Sequence, residues 1–209
     1  MTHVTIIDTG ISNTASVISA FTRIGCHVST TSSPDTVLRS PALVLPGVGA
    51  FEQGMKALRE GDLIESILHR VNKDKVPIVG ICLGMQLLAD VSYENGSHAG
   101  LGIIPGNVVK LESQSADFRV PNIGWYDVIS NKPSVMFDSP DQRGIFYHVH
   151  SYYLECTNSK DIAAHIDFDG LPITVAIESE NIFGVQFHPE KSQGDGLNLL
   201  SRIVRSFDV

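Results

Sequence analysis

The spacing of apolar residues changes period repeatedly before Asp90. Residues 3–8 (HVTIID) form a short β-rich run, and residues 12–24 then place Ala15, Val17, Ile18, Phe21 and Ile24 at mainly helical spacing behind Ser12, a possible N-cap. The alternation continues. Residues 26–31 (CHVSTT) read as a strand, 34–39 as a weak helix, 42–46 (ALVLP) as a strand, 50–70 as helical and 76–81 (VPIVGI) as a strand. Strands alternating with helical segments imply parallel strands joined by crossover helices.

After Asp90 the texture changes. VSYENGSHAGLGIIPGNV is rich in Gly, Ser and Asn, and short β-like runs follow between Gly, Pro and Asn. They are NVVKLE, WYDVIS, GIFYHV, SYYLEC, IAAHIDF, ITVAIES and IFGVQF, with connections short enough for antiparallel hairpins. Leu197, Leu200, Val204 and Phe207 then recur every three or four residues, as in a closing helix packed on a sheet. The expected fold is α/β, a mostly parallel central sheet flanked by helices with additional β-rich elements in the second half. No repeat or linker divides the chain, so residues 1–209 are expected to form one domain.

Composition narrows the function. A net charge of −8, with no run of Lys or Arg, disfavours nucleic acid as a partner. The start, MTHVTIIDTG, lacks the basic region of a secretory signal and reads as a first strand. The longest apolar run, residues 76–91, is interrupted by Gly80, Gly84 and Gln86 and is too short to span a bilayer, so a membrane is not expected either. Three cysteines, Cys26, Cys82 and Cys156, fit neither a disulfide framework nor zinc spacing, and reduced thiols in a cytoplasm are expected.

One of those thiols is singled out by its frame. Gly80-Ile-Cys82-Leu-Gly84 joins an apolar strand to a helical run containing Met85, Leu87 and Leu88, the form of a nucleophile elbow with cysteine in place of serine. A sharp strand-to-helix turn brings backbone close on both sides of the central residue, which favours residues without a β-carbon there. The thiol then sits where unpaired N–H groups favour an anion. Cys26 and Cys156 have no such frame and read as structural thiols.

A cysteine nucleophile needs a base and a group to orient it. VQFHPEKS supplies both, because His188 ends a strand, Pro189 biases it to extended backbone, and Glu190 projects from the same side two residues on. A strand-end histidine can equally be a surface or capping residue. Pro46-Gly-Val48-Gly49 follows a strand, and its glycines let backbone N–H groups turn towards an oxyanion. Its GVGAFEQG misses the dinucleotide spacing G-x-G-x-x-G, and no cofactor is expected. His148 and His150 share a strand face without a carboxylate or cysteine at ligand spacing, so they read as sheet residues and no metal is expected.

With Gly80-Ile-Cys82-Leu-Gly84-Met-Gln86, His188-Pro-Glu190 and Pro46-Gly-Val-Gly49 in this order, the chain resembles the class I (triad) glutamine amidotransferases over nearly its whole length. IIDTG, PGVGAF, LGIIPG, PNIGWYDV, VHSYY and VQFHPEKSQ look, within that family, like the glutaminase subunits of imidazole glycerol phosphate synthase. The resemblance implies Cys82 as nucleophile on the glutamine amide, His188 as proton shuttle and Glu190 as its orienting group. It implies an oxyanion hole from the backbone at Leu83 and at Val48 and Gly49, the latter after the PGVG strand rearranges. Gln86, Glu94, Ser151 and Tyr152 match glutamine-holding positions, and Asn13, Trp125, Tyr147 and Lys191 match interface or channel-mouth positions.

The implied partner is a separate (β/α)₈ cyclase subunit, in a heterodimer, that receives the ammonia through a channel and makes imidazole glycerol phosphate and aminoimidazole carboxamide ribotide in histidine biosynthesis. Some residues depart from the pattern. Asn122, Tyr126 and His148 stand where the subunit often has His, Asn and an aromatic residue. Two alternatives follow, a paralogous glutaminase feeding another synthase, and a non-catalytic thiol sensor whose elbow cysteine is oxidised.

Overall fold

The computed structural model of the chain describes residues 2–113, 115 and 118–208. Its first half alternates as the pattern requires: β1 (His3–Ile7), α1 (Thr14–Arg23), β2 (His27–Thr31), α2 (Pro34–Val37), β3 (Leu43–Gly47), α3 (Phe51–Glu60), α4 (Leu63–Leu68), β4 (Ile78–Cys82) and α5 (Leu83–Leu87). Asn13, one residue past Ser12, is the N-cap of α1, and it makes no side-chain cap bond. The helical stretch expected over 50–70 breaks at Gly61-Asp62, where Asp62 adopts a left-handed φ of 55°, and it ends in a π turn at His69–Lys73.

The second half adds β5 (Ala89–Ser92), β6 (His98–Ala99), β7 (Ile104–Lys110), β8 (Asn122–Ser130), β9 (Arg143–His150), β10 (Tyr152–Cys156), β11 (Ile162–Phe168), β12 (Leu171–Ser179), β13 (Ile182–Val185) and α6 (Gln193–Arg205). Among the described residues, nine strands form one sheet in the order β2-β1-β3-β4-β13-β12-β11-β8-β9, and β10-β7-β5-β6 form a second. From β2 to β13 every pairing is parallel, and from β13 to β9 every pairing is antiparallel. The β-rich half thus extends the parallel sheet rather than standing apart from it.

Period-two alternation sends successive residues of the parallel strands into two cores. Val4, Ile6, Val44, Val79 and Ile81 face the core closed by Phe21 of α1 and Leu200 of α6. Ile7, Leu43, Leu45 and Ile78 face the other, with Leu58, Ile67 and Met85 from α3, α4 and α5. Both faces are covered, so these strands read as continuous apolar runs. β13, distant from β4 in sequence, pairs with it in parallel at Gly184↔Gly80 and Val185↔Ile81. That pairing brings the residues after Val185 beside those after Ile81. No helix among the described residues is long and apolar enough to cross a membrane.

Candidate active site

Cys82 ends β4 and precedes α5 with φ 55° and ψ −112°, a conformation rarely adopted by an L-residue. Its neighbours show why the turn demands glycine. A β-carbon on Gly80 would lie 2.8 Å from the backbone nitrogen of Met85, and one on Gly84 would overlap the Leu45 carbonyl oxygen. Close packing of β3, β4 and α5 therefore forces the elbow. The helix is only one and a half turns long, shorter than its apolar pattern suggests, because the chain re-enters extended structure at Ala89. Leu83 opens it, so its N–H has no carbonyl within the helix to meet.

His188 is held at both ends of its backbone. Its N–H donates to the Tyr147 carbonyl at 2.9 Å, and its carbonyl accepts from the Ser192 hydroxyl at 2.6 Å. Nδ1 lies 2.8 Å from Oε1 of Glu190, and both side chains are buried. Nδ1 is thereby the donor, and the other ring nitrogen, Nε2, is buried with no other hydrogen-bond partner among the described residues. Burial alone would lower the His188 pKa, but the interactions with nearby Cys82 and Glu190 outweigh it and push the value up from 6.5 to about 9. The imidazolium is favoured beside the sulfur.

A cavity of about 290 Å³ opens over these groups, lined by Cys82, His188, Leu83, Gln86, Glu94, Val48, Gly49, Ser151 and Tyr152, with Pro121, Val149 and His150. All the nucleophile, base, oxyanion and substrate positions expected from sequence reach it except Glu190, which stands behind the imidazole. Gln86 donates from Nε2 to the Tyr152 carbonyl at 3.1 Å, and Glu94 accepts from the Phe51 N–H at 2.6 Å at the start of α3. The Val48 N–H is engaged elsewhere, donating to the Ile11 carbonyl at 3.3 Å. Gly49 follows at φ 96°.

Asn13, Trp125, Tyr147 and Lys191 lie outside this cavity. Lys191 Nζ sits 5.8 Å from the centre of the Tyr147 ring, which Trp125 meets edge to face at 5.8 Å. Trp125 is 49% exposed, so its ring is not part of the core. Asn13 joins Lys191 in a small crevice behind His188 and Glu190.

Sequence reasoning missed Gln186. This side chain is fully buried, accepts from Gln86 Nε2 at 3.0 Å and approaches Cys82 Sγ with its own Nε2 at 3.8 Å. A glutamine inside the apolar run IFGVQF was the available signal, since a buried amide needs partners. His148 and His150 are buried sheet residues, as expected, and they bond to each other at 3.2 Å.

The family model "Glutamine amidotransferase class-I" matches residues 5–205. The imidazole glycerol phosphate synthase subunit HisH of Syntrophotalea carbinolica is 40% identical over 201 residues, covering 94% of this chain and 97% of that one. HisH 1 of Legionella pneumophila is 37% identical over 214 residues, covering 98% of this chain and 100% of its own. In fold, a crystal structure of a glutamine amidotransferase superposes with a TM-score of 0.76 at 16% identity, covering 98% of this chain and 99% of that chain. PurLQS from Thermotoga maritima superposes at 0.75 and 19% identity, with 98% of each chain covered. The chain belongs to the class I glutamine amidotransferases and, within them, to the family of HisH subunits of imidazole glycerol phosphate synthase.

Proposed function

We propose that the chain, as one domain in the cytoplasm, hydrolyses L-glutamine to glutamate and ammonia and delivers the ammonia to a (β/α)₈ cyclase subunit in a heterodimer. The observation that carries the chemistry is the positive-φ Cys82 in one cavity with His188, whose other ring nitrogen is held by Glu190 at 2.8 Å. With the Cys82 proton held on His188 as the imidazolium, Sγ attacks the carboxamide carbon. The tetrahedral oxyanion is met by backbone N–H groups of Leu83 and the Val48-Gly49 segment. Collapse breaks the C–N bond as His188 returns its proton to the leaving nitrogen, leaving a γ-glutamyl thioester and ammonia. Water, deprotonated by His188, then cleaves the thioester to glutamate and restores the thiol.

The Val48 N–H already has an acceptor in Ile11, so half of this oxyanion hole needs its peptide turned. A cyclase docked beside Trp125, Tyr147, Lys191 and Asn13 is in position to bias that turn, which would make turnover depend on the partner. Loss of one oxyanion donor costs roughly 10²- to 10³-fold in kcat.

The test is ammonia release from L-glutamine by the chain alone, then with a cyclase subunit and its nucleotide ligand. A rise of about 100-fold or more in the complex is expected, abolished by Cys82→Ala while synthesis from added ammonium persists. Equal turnover with and without the cyclase would reject the gate. Glutamine use surviving Cys82→Ala would reject the nucleophile.

A paralogous role drew on Asn122, Tyr126 and His148. These three lie together on the inward face of β8 and β9, with the Tyr126 and His148 rings 5.6 Å apart, and Asn122 and His148 are fully buried. Their departures are neighbours on one face of β8 and β9, opposite the exposed Trp125, which favours the histidine-pathway partner.

A further inference from the structure

Three buried polar side chains beside the cavity take no part in the chemistry above. Asn122 of β8 sits directly opposite His150 of β9, and Asn122 Nδ2 lies 3.2 Å from His150 Nε2. His148 Nδ1 lies 3.2 Å from the same Nε2. The other nitrogen, His150 Nδ1, is 3.0 Å from the Tyr152 carbonyl, the same oxygen that accepts from Gln86 Nε2 at 3.1 Å.

These contacts determine the protons. A carbonyl only accepts, so His150 Nδ1 carries hydrogen. Burial, and repulsion from His188, hold the His150 pKa down at about 4 against the favourable Tyr152 carbonyl, so the ring is neutral and Nε2 is a bare acceptor. Burial, with repulsion from His150 and His188, also holds His148 well below its ordinary value, so His148 gives its single proton from Nδ1. Both rings are then Nδ1–H tautomers, and a continuous path runs from Asn122 through His150, the Tyr152 carbonyl, Gln86 and Gln186 to Cys82 Sγ.

We propose that His150 is a positioning residue for the substrate: locked into one tautomer by Asn122 and His148, it fixes the Tyr152 carbonyl, and through it the Gln86 carboxamide, on the wall of the cavity that faces Cys82. The proposal rests on the glutaminase assignment above. Ser151 alone separates β9 from β10, Tyr152 opens β10, and β10 belongs to the second sheet. The ladder to β7 holds this segment through the Tyr152↔Lys110 pair and the Leu111 N–H on the Ser151 carbonyl, and the Tyr152 carbonyl itself meets the imidazole and Gln86.

Steady-state glutamine hydrolysis by the full chain with its cyclase subunit tests this with two substitutions. His150→Gln places its amide near the Nε2 position and loses the donor to Tyr152. His150→Asn keeps a donor near the Nδ1 position. His150→Gln is expected to raise KM for glutamine roughly tenfold with kcat changed less than about threefold, and His150→Asn to restore KM to within about threefold of the parent. Equal KM values for the two variants, at matched thermal stability and with an active parent chain, would overturn the positioning role. An inactive parent would instead overturn the glutaminase assignment itself. Should His150→Gln not fold, ¹⁵N NMR of the imidazoles in the unsubstituted chain decides. Protonated Nδ1 with bare Nε2 in both rings supports the proposal, and an Nε2–H in either overturns it.

Discussion

On one side of the cavity Cys82 stands on a turn whose shape is set by contact. Gly47, Gly80 and Gly84 let β3, β4 and α5 approach so closely that an added β-carbon at any of them would press on Leu83, Met85 or Leu45. On the other side the segment at Ser151 and Tyr152 is placed by hydrogen bonds, from β7 along the ladder and from His150 and Gln86 at the Tyr152 carbonyl. Contact is short-ranged and unforgiving, so the nucleophile's wall has one geometry or none. Hydrogen bonds in a buried network can be lost one at a time, so the substrate's wall can be loosened without unfolding.

The contrast can be broken most severely at Gly84. Gly84→Ala forces β3 and α5 apart and is expected to destabilise the protein by about 3 kcal/mol or more, read by denaturant unfolding. A loss under about 1 kcal/mol would mean that the elbow yields and that its geometry is not set by contact.

A smaller effect is expected behind the base. In Glu190→Gln the carboxylate that helps Cys82 hold up His188 is gone while burial remains, so the His188 pKa should fall from about 9, read by NMR titration. Its folded pKa lies above the unfolded value, so the pair's stabilisation is fully present below 6.5 and is lost as pH rises towards 9. The substitution should cost about 1.5 kcal/mol at pH 6 and progressively less as pH rises from 6.5 towards 9. A pH-independent cost would place the role of Glu190 in packing alone.

The mildest change sharpens the comparison from the other direction. Cys82→Gly relieves an L-residue held at φ 55°, and a gain of about 1 kcal/mol in stability is expected alongside complete loss of glutamine hydrolysis. No gain would mean that the strained turn is stabilised by the thiol itself.

The wall built by contact was legible in the sequence; of the wall built by hydrogen bonds, the resemblance marked Gln86, Ser151 and Tyr152, but the buried side chains behind them were not legible. Glycines at 80 and 84 around Cys82 announce close approach because only absent β-carbons permit it, and His188 and Glu190 are two residues apart. Asn122, His150 and Gln186 converge through the pairing of β8 with β9 and of β4 with β13, which local pattern does not specify. β5 and β6 escaped notice because a four-residue and a two-residue strand among Gly, Ser and Asn carry almost no periodicity. The break at Asp62 escaped for a different reason, since the apolar positions of α3 and α4 continue across it.

The place of β13 in the sheet has a consequence for how the protein comes into being. It follows the other strands in the chain, yet it lies at the centre, between β4 and β12. While the chain is being synthesised, β4 and its cysteine emerge well before the strand that must lie beside them, and the ribosome has to release most of the sequence before Cys82 can meet His188. Closing so long a loop is slow compared with forming a hairpin. The growing polypeptide therefore carries an elbow without a base, and a reactive site exists only once the fold around it is nearly complete.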